Sequence, residues 1–380
     1  MFNIILLGIT SLLTDISSEM VYPILPLYLV TTLGASPAIL GLIEGIAEST
    51  ASLLKVFSGY FSDRFKSRKP FTILGYAGST VGKIFLYISV SWGYVLTGRI
   101  IDRLGKGIRT APRDALIADS AYAHKKGAAF GLHRTMDTIG ASIGVFLAYF
   151  LITRYQGNFK NIFLVSLIPA LLGLVFLFFV RESKGELKNK HSRIQFKWHT
   201  LDRRLKLFLI LTFIFTLGNS SNQFLLLRAK DLGSPLPTVI LFYLVYNLVY
   251  ALVAYPASSL SDRIGRKKIL VLGYLFYGLV YLGFAINKTP FNLWFLFGIY
   301  GLYIGFTEGA EKALVADIAP QEARATAIGL HATLVGIGLL PASLFAGMLW
   351  KFLGPAAAFY FGGFMGIFAS VGLWFVLKGI

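Results

Sequence analysis

The sequence predicts an all-α integral membrane protein of twelve transmembrane helices, built as two parallel six-helix repeats. Three observations carry this. The 380 residues are 56% hydrophobic and only 14% charged, against roughly 25% charged in an average soluble domain, and the mean hydropathy is +0.68. Apolar runs of about 20 residues, the length that crosses a bilayer, recur from end to end. The second half then repeats the motifs of the first in order. The chain also carries a net charge of +18, from 36 Lys and Arg against 18 Asp and Glu. Where those charges sit decides whether they mark nucleic acid, a membrane surface or topology.

Six spans are expected at 4–33, 38–62, 70–91, 93–119, 127–152 and 159–180, and six more at 207–227, 236–260, 269–286, 291–317, 323–349 and 355–377. A lone span must satisfy its own backbone hydrogen bonds, so each is a helix. A membrane barrel needs short segments of period two, whereas a run such as 167–180 is apolar on every face. Span 1 carries Asp15 and Glu19 in mid-run, and no basic residue precedes it, so it reads as a retained helix rather than a cleaved leader. Pro23 and Pro26 are expected to kink it. Span 2 holds Glu44 and Glu48 at i,i+4, with Lys55 near the same stripe, and span 3 holds Lys83. Span 4 is the most charged: Arg99, Asp102, Arg103, Lys106, Arg109 and Arg113 step by about three or four along one face. Span 5 carries His133, Arg134 and Asp137, then Gly140-Ala-Ser-Ile-Gly144. Those small residues suit close helix packing; a hydrolase elbow would need a strand before the serine. Span 6 is almost wholly apolar.

The segment 182–206 is polar and basic without apolar periodicity, and reads as a cytoplasmic linker between the halves 1–181 and 207–380. Span 7 carries Asn219-Ser-Ser-Asn222-Gln223, span 8 carries Tyr243, Asn247 and Tyr250, and span 10 carries Glu308, Glu311 and Lys312. Twenty-one basic residues fall after even-numbered spans or at the C terminus, and six on the opposite side. The positive-inside rule then makes the even loops and both termini cytoplasmic. The basic excess is a topology signal, and no nucleic-acid partner is expected. The chain has no cysteine, which removes thiol chemistry. No clustered ligand set suggests a metal, and no nucleophile, base and orienting group come together. The expectation is a monomeric, multi-pass protein of the cell membrane that is not an enzyme and needs no cofactor.

The repeat is specific. Gly59-Tyr-Phe-Ser-Asp63-Arg64 followed by Arg68-Lys69 returns as Ser258-Ser-Leu-Ser-Asp262-Arg263 followed by Arg266-Lys267. Ala115-Leu-Ile-Ala-Asp119 returns as Ala313-Leu-Val-Ala-Asp317, and Gly131-Leu-His133 as Gly329-Leu-His331, at an offset of 198. Both halves share one orientation, so the repeats are parallel about an axis along the membrane normal. The loop at 59–69 resembles the signature Gly-x-x-x-Asp-Arg-x-x-x-Arg-Lys of the major facilitator superfamily. The second copy departs from it at Ser258. Arg99, Gly105 and Gly107 resemble that family's span 4 motif, with Arg103 in place of its first glycine.

The resemblance implies a secondary transporter working by alternating access. It implies a gating role for Gly59, Asp63, Arg64, Arg68, Asp119, Asp262, Arg263 and Asp317, whose contacts would hold the halves together on the inner side. Charges at bilayer depth cost about 3 kcal/mol each even on insertion scales, so the remaining acids should face a cavity or one another. Asp15, Glu19, Glu44, Glu48, Asp137, Glu308 and Glu311 are candidates for proton coupling. Arg99, Arg103, Lys106, Arg109, Arg134, Asn222, Gln223, Tyr243 and Asn247 are candidates for a substrate cavity. A wholly paired structural network is the competing reading of the same charges. The expected substrate is a small organic solute moved with protons, with drug-type efflux the commonest outcome in the family. An importer of an anionic solute, such as an organic acid or iron chelate, is the alternative, and a transport-inactive receptor is the alternative of another class.

Overall fold

A computed structural model describes residues 2–64, 67–121, 126–181, 202–319 and 324–376; within its helices the side chains at 56, 59–61, 63–64, 126–128 and 324–326 fall outside the described set. Twelve helical spans appear in the expected order. Helix α1 is Phe2–Val21, followed by a turn at Leu25–Leu27 and a π-helical turn at Tyr28–Thr32. The next five are α2 (Pro37–Arg64), α3 (Lys69–Tyr87), α4 (Trp92–Ser120), α5 (Lys126–Arg154) and α6 (Phe159–Phe178). Helix α7 is Arg203–Gly218, continued after a break by Gln223–Asp231. The last five are α8 (Leu236–Ile264), α9 (Arg266–Ile286), α10 (Leu293–Ile318), α11 (Arg324–Leu353) and α12 (Pro355–Val376).

Two expected boundaries change. Spans 1 and 7 are broken, at 22–24 and 219–222, rather than continuous. At the first break Pro23 lacks the N–H that a continuing helix requires. At the second, the residues are Asn219, Ser220, Ser221 and Asn222, whose side chains compete for backbone groups. The linker expected at 182–206 lies outside the described residues as far as 201. Its end is helical, because Asp202 caps α7 by accepting from the Arg204 amide at 2.7 Å.

Among the described residues, nine helices are long and apolar enough to cross a membrane unaided. The other three are α3, α4 and α10. Helix α4 fails through its charges and α10 is rich in Gly and Tyr. The outward faces are apolar in the manner of lipid contact. Ile139, Ile143, Phe146 and Phe150 form one exposed stripe on α5, and Tyr360, Phe364, Phe368 and Val371 another on α12. Lipid is as apolar as these side chains, so helix association rests on close packing and polar contacts instead.

The chain forms two compact units, Met1–Ala35 with Ile46–Lys190 and Leu236–Leu241, and Ser36–Gly45 with His191–Pro235 and Phe242–Ile380. They follow the sequence halves except at the starts of α2 and α8, which are exchanged. In the first unit α3 and α4 meet backbone to backbone. A Cβ on Gly82 would lie 2.6 Å from the Gly98 carbonyl, and one on Gly105 would lie 2.8 Å from the Ser79 amide. Helix α1 meets α5 through Gly140 and Gly144, against Leu12 and Ile16, which makes the Gly-x-Ser-x-Gly pattern a packing surface. In the second unit α9 and α12 meet the same way, Gly278 against the Gly363 carbonyl. Thr14 donates to the Thr10 carbonyl and Thr216 to the Thr212 carbonyl, each at 2.8 Å, on the first helix of each half.

Candidate functional site: a charged cavity in the first unit

The duplicated loop signature is built as the same ion pair twice. Arg68, at the start of α3, pairs with Asp119 near the end of α4 and donates to the Ala115 carbonyl at 3.1 Å. Arg266, at the start of α9, pairs with Asp317 near the end of α10 at 2.8 Å and with Asp262 at 3.4 Å. Each of these two pairs joins helices of one half. Arg263 is exposed on the last turn of α8. Gly59, Asp63 and Arg64 belong to the last turns of α2, and their side chains fall outside the described set.

The second feature is a cavity of about 50 Å³ enclosed by α1, α3 and α4. That volume exceeds what one water needs and suits a few. Asp15, Ser18 and Glu19 line it from α1, Tyr22 from the break that follows, and Lys83 from α3. Helix α4 contributes Arg99, Asp102, Arg103, Lys106 and Arg109, the stripe that its i,i+3/i+4 spacing places on one face. The glycine seam between α3 and α4 allows so many long side chains to converge. A side chain at Gly75 would meet Arg109 Cβ at 2.5 Å, and one at Gly82 would meet Asp102 Cβ at 2.9 Å.

The charges sort into two groups. Glu48, from α2, lies 3.9 Å from Arg99 and 3.4 Å from Arg103, and Asp102 lies 3.6 Å from each of the same two arginines. These four make a balanced quartet. Lys83, only 3% exposed, donates to Ser18 Oγ at 3.2 Å. Arg109 stands over the Tyr76 ring at 4.4 Å and donates to Ser79 Oγ. Lys106 is exposed on the same stripe. Among the described residues no carboxylate oxygen lies within ion-pair reach of Lys83, Lys106 or Arg109, while Asp15 and Glu19 share the cavity with them.

The structure thus brings together Asp15, Glu19, Arg99, Arg103, Lys106 and Arg109, and joins Glu48 to them through the arginines. Among the other candidates, Asp137 of α5 interacts electrostatically with Asp15. Asp137 faces His133 at 3.5 Å on α5, and Arg134 is exposed on that helix. Glu44 is fully buried in the second unit, 3.4 Å from Ser221 Oγ. The second unit's polar groups are mostly neutral. Tyr300 donates to Asn222 at 2.7 Å, and Asn222 donates to Tyr246 at 3.4 Å. Asn247 donates back to the Tyr243 carbonyl. Tyr250 donates to Glu308, which also lies 4.0 Å from Lys312. Glu311 accepts from Tyr274 at 2.9 Å and lies 3.4 Å from His331. Gln223 is fully buried, and neither atom of its amide has a hydrogen-bond partner among the described residues. Reading by residue type on each span did not single out Lys83 or Ser18. A lone lysine in mid-run on an otherwise apolar span was the signal available.

Twelve helical spans in duplicated halves, apolar on their exposed faces and with a charged cavity in the first unit, define a polytopic membrane protein. The chain belongs to the major facilitator superfamily, whose sequence profile matches residues 7–218 and 208–379, once per half. An uncharacterized MFS-type transporter of Methanocaldococcus jannaschii is 41% identical over 381 residues, 98% of this chain and 94% of that one. The multidrug resistance protein MdtG of Escherichia coli is 27% identical over 322 residues, 81% of this chain and 77% of that one. Among solved structures, the nucleoside transporter NupG matches with a TM-score of 0.80 at 14% identity and full coverage of both chains. A D-xylose–proton symporter matches with a TM-score of 0.77 at 19% identity, covering 98% of this chain and 96% of that one.

Proposed function

We propose that this protein is a proton-coupled secondary transporter, which moves a small organic solute across the cell membrane by alternating access and binds it against the α1/α3/α4 cavity. The carrying observation is that cavity, where two α1 carboxylates, Asp15 and Glu19, face cations of α3 and α4. Carboxylates that share a cavity with cations change proton affinity as the cavity's occupancy changes, and a proton bound there biases which side opens. Glu48, bridged to Arg99 and Arg103, serves the architecture of the site. The duplicated Arg68–Asp119 and Arg266–Asp317 pairs brace each half at its cytoplasmic end, with both termini on that side, and the protein works as a monomer.

The name of the MdtG relative suggests drug-type efflux. Two features of the cavity favour an anionic solute instead: five cations against three carboxylates line it, and its volume suits a carboxylate or phosphate group rather than a lipophilic cation. Reconstituted vesicles test the reading. With an inside-alkaline pH gradient imposed, the wild-type protein is expected to accumulate its solute above equilibrium. Exchange without accumulation would contradict proton coupling, and the absence of both would contradict transport.

A further inference from the structure

Resting on that reading, we propose that the transported solute is a small dianion, a dicarboxylate or a monoalkyl phosphate, held by Lys83, Lys106 and Arg109. Arg99, Arg103, Glu48 and Asp102 are linked by contacts at 3.4–3.9 Å. The other three cations line the cavity beyond ion-pair distance of any described carboxylate, with hydroxyls and a tyrosine ring as neighbours. Asp15 and Glu19 also line the wall, and Asp137 of α5 interacts electrostatically with Asp15. With every group ionised, the lining set together with Glu48 carries one positive charge in excess; with Asp15 and Glu19 protonated, it carries three. Such a set placed at bilayer depth is costly without counter-charge.

A dianion supplies that counter-charge when the two α1 carboxylates are protonated, so solute and protons fill the cavity together. Two acidic oxygens at the ends of a short linker can each take a charge-assisted hydrogen bond. Lysine ammonium groups on flexible stems suit carboxylate and phosphate alike, while Arg109 adds a planar donor set. A monovalent cation would meet like charge on three sides. A neutral solute would leave the cations as they are.

Thermal unfolding of the purified protein at constant ionic strength tests this with sodium malonate, succinate and methyl phosphate. Malonamide and succinamide serve as neutral counterparts, and tetraphenylphosphonium as the cation. The dianions are expected to raise the melting temperature in a saturable manner while the amides leave it unchanged. Lys83→Met and Lys106→Gln should each weaken the dianion by about ten-fold or more, the usual effect of removing one charge-assisted hydrogen bond. Lys288→Gln, an exposed lysine in the α9–α10 connection, should bind as wild type. Lys106 is exposed, so its variant keeps the test open if Lys83→Met does not fold. The inference is overturned if no dianion shifts the melting curve, if an amide shifts it equally, or if the Lys106 variant binds as wild type. Accumulation of a cation in vesicles with no dianion binding would overturn this inference and leave the transporter reading standing. Dianion binding without pH-driven accumulation would do the reverse.

Discussion

In the first unit, the polar side chains between helices are charged: Arg99, Arg103, Glu48 and Asp102 interlock, and Lys83, Lys106 and Arg109 face Asp15 and Glu19 across a small cavity. In the second unit the polar side chains between helices are mostly tyrosine, asparagine and serine: Tyr300 donates to Asn222, Asn222 to Tyr246 and Asn219 to Tyr303, while Glu311 meets Tyr274 and His331. The Arg68–Asp119 and Arg266–Asp317 pairs recur in both halves. Duplication therefore preserved what braces the helix ends, and left the interior chemistry to diverge. The proposed proton coupling assigns charge and proton sensing to the first unit and a polar frame to the second.

The largest effect that would break this comparison is loss of the quartet. Arg103→Gln strands Glu48 and Asp102 with one arginine between them. The expected cost is about 3 kcal/mol, the lower end for a broken buried pair, because Glu48 is 31% exposed. Thermal unfolding should show it, and Glu48→Gln in the same chain should recover part of it. A smaller effect is expected in the second unit. Tyr300→Phe removes the hydroxyl that donates to Asn222, at about 1 kcal/mol for a neutral hydrogen bond, with pH-driven transport retained. Complete loss of transport in that variant would place coupling chemistry in the second unit. The smallest effect belongs to the brace. Arg68→Ala and Arg266→Ala should each lower stability by about 1 kcal/mol or less, since Asp119 and Asp317 are 41% and 53% exposed. The two changes should be similar in size, and a large disparity would show that the repeated pair is unequal in function.

Much of the fold was legible in the sequence, for physical reasons. Hydrocarbon thickness sets span length, and the 198-residue offset announces the duplication from the residues alone. The helix breaks were legible in part. Pro23 marks the first, whereas the second rests on a run of side chains that compete for backbone groups, a weaker signal. The site was half legible. The i,i+3/i+4 spacing of α4 placed its cations on one face, and the spacing of Asp15 and Glu19 did the same for α1. Spacing within a helix cannot say which faces meet, however. Glu44 and Glu48 share a stripe on α2, yet Glu48 meets the arginines of the first unit and Glu44 is buried near Ser221 in the second. Lys83 was obscure for the same reason, since its role depends on which face of α3 the glycine seam turns toward α4.

Carboxylates of the two units, compared in reconstituted vesicles under an imposed pH gradient, put the division of labour between them to its sharpest test. Asp15→Asn and Glu19→Gln are set against Glu311→Gln, whose carboxylate lies with Tyr274 and His331 in the second unit. Each α1 variant should lose pH-driven accumulation while keeping solute exchange, and Glu311→Gln should keep the full gradient. Full accumulation by both α1 variants, with its loss in Glu311→Gln, would contradict proton coupling through the first unit.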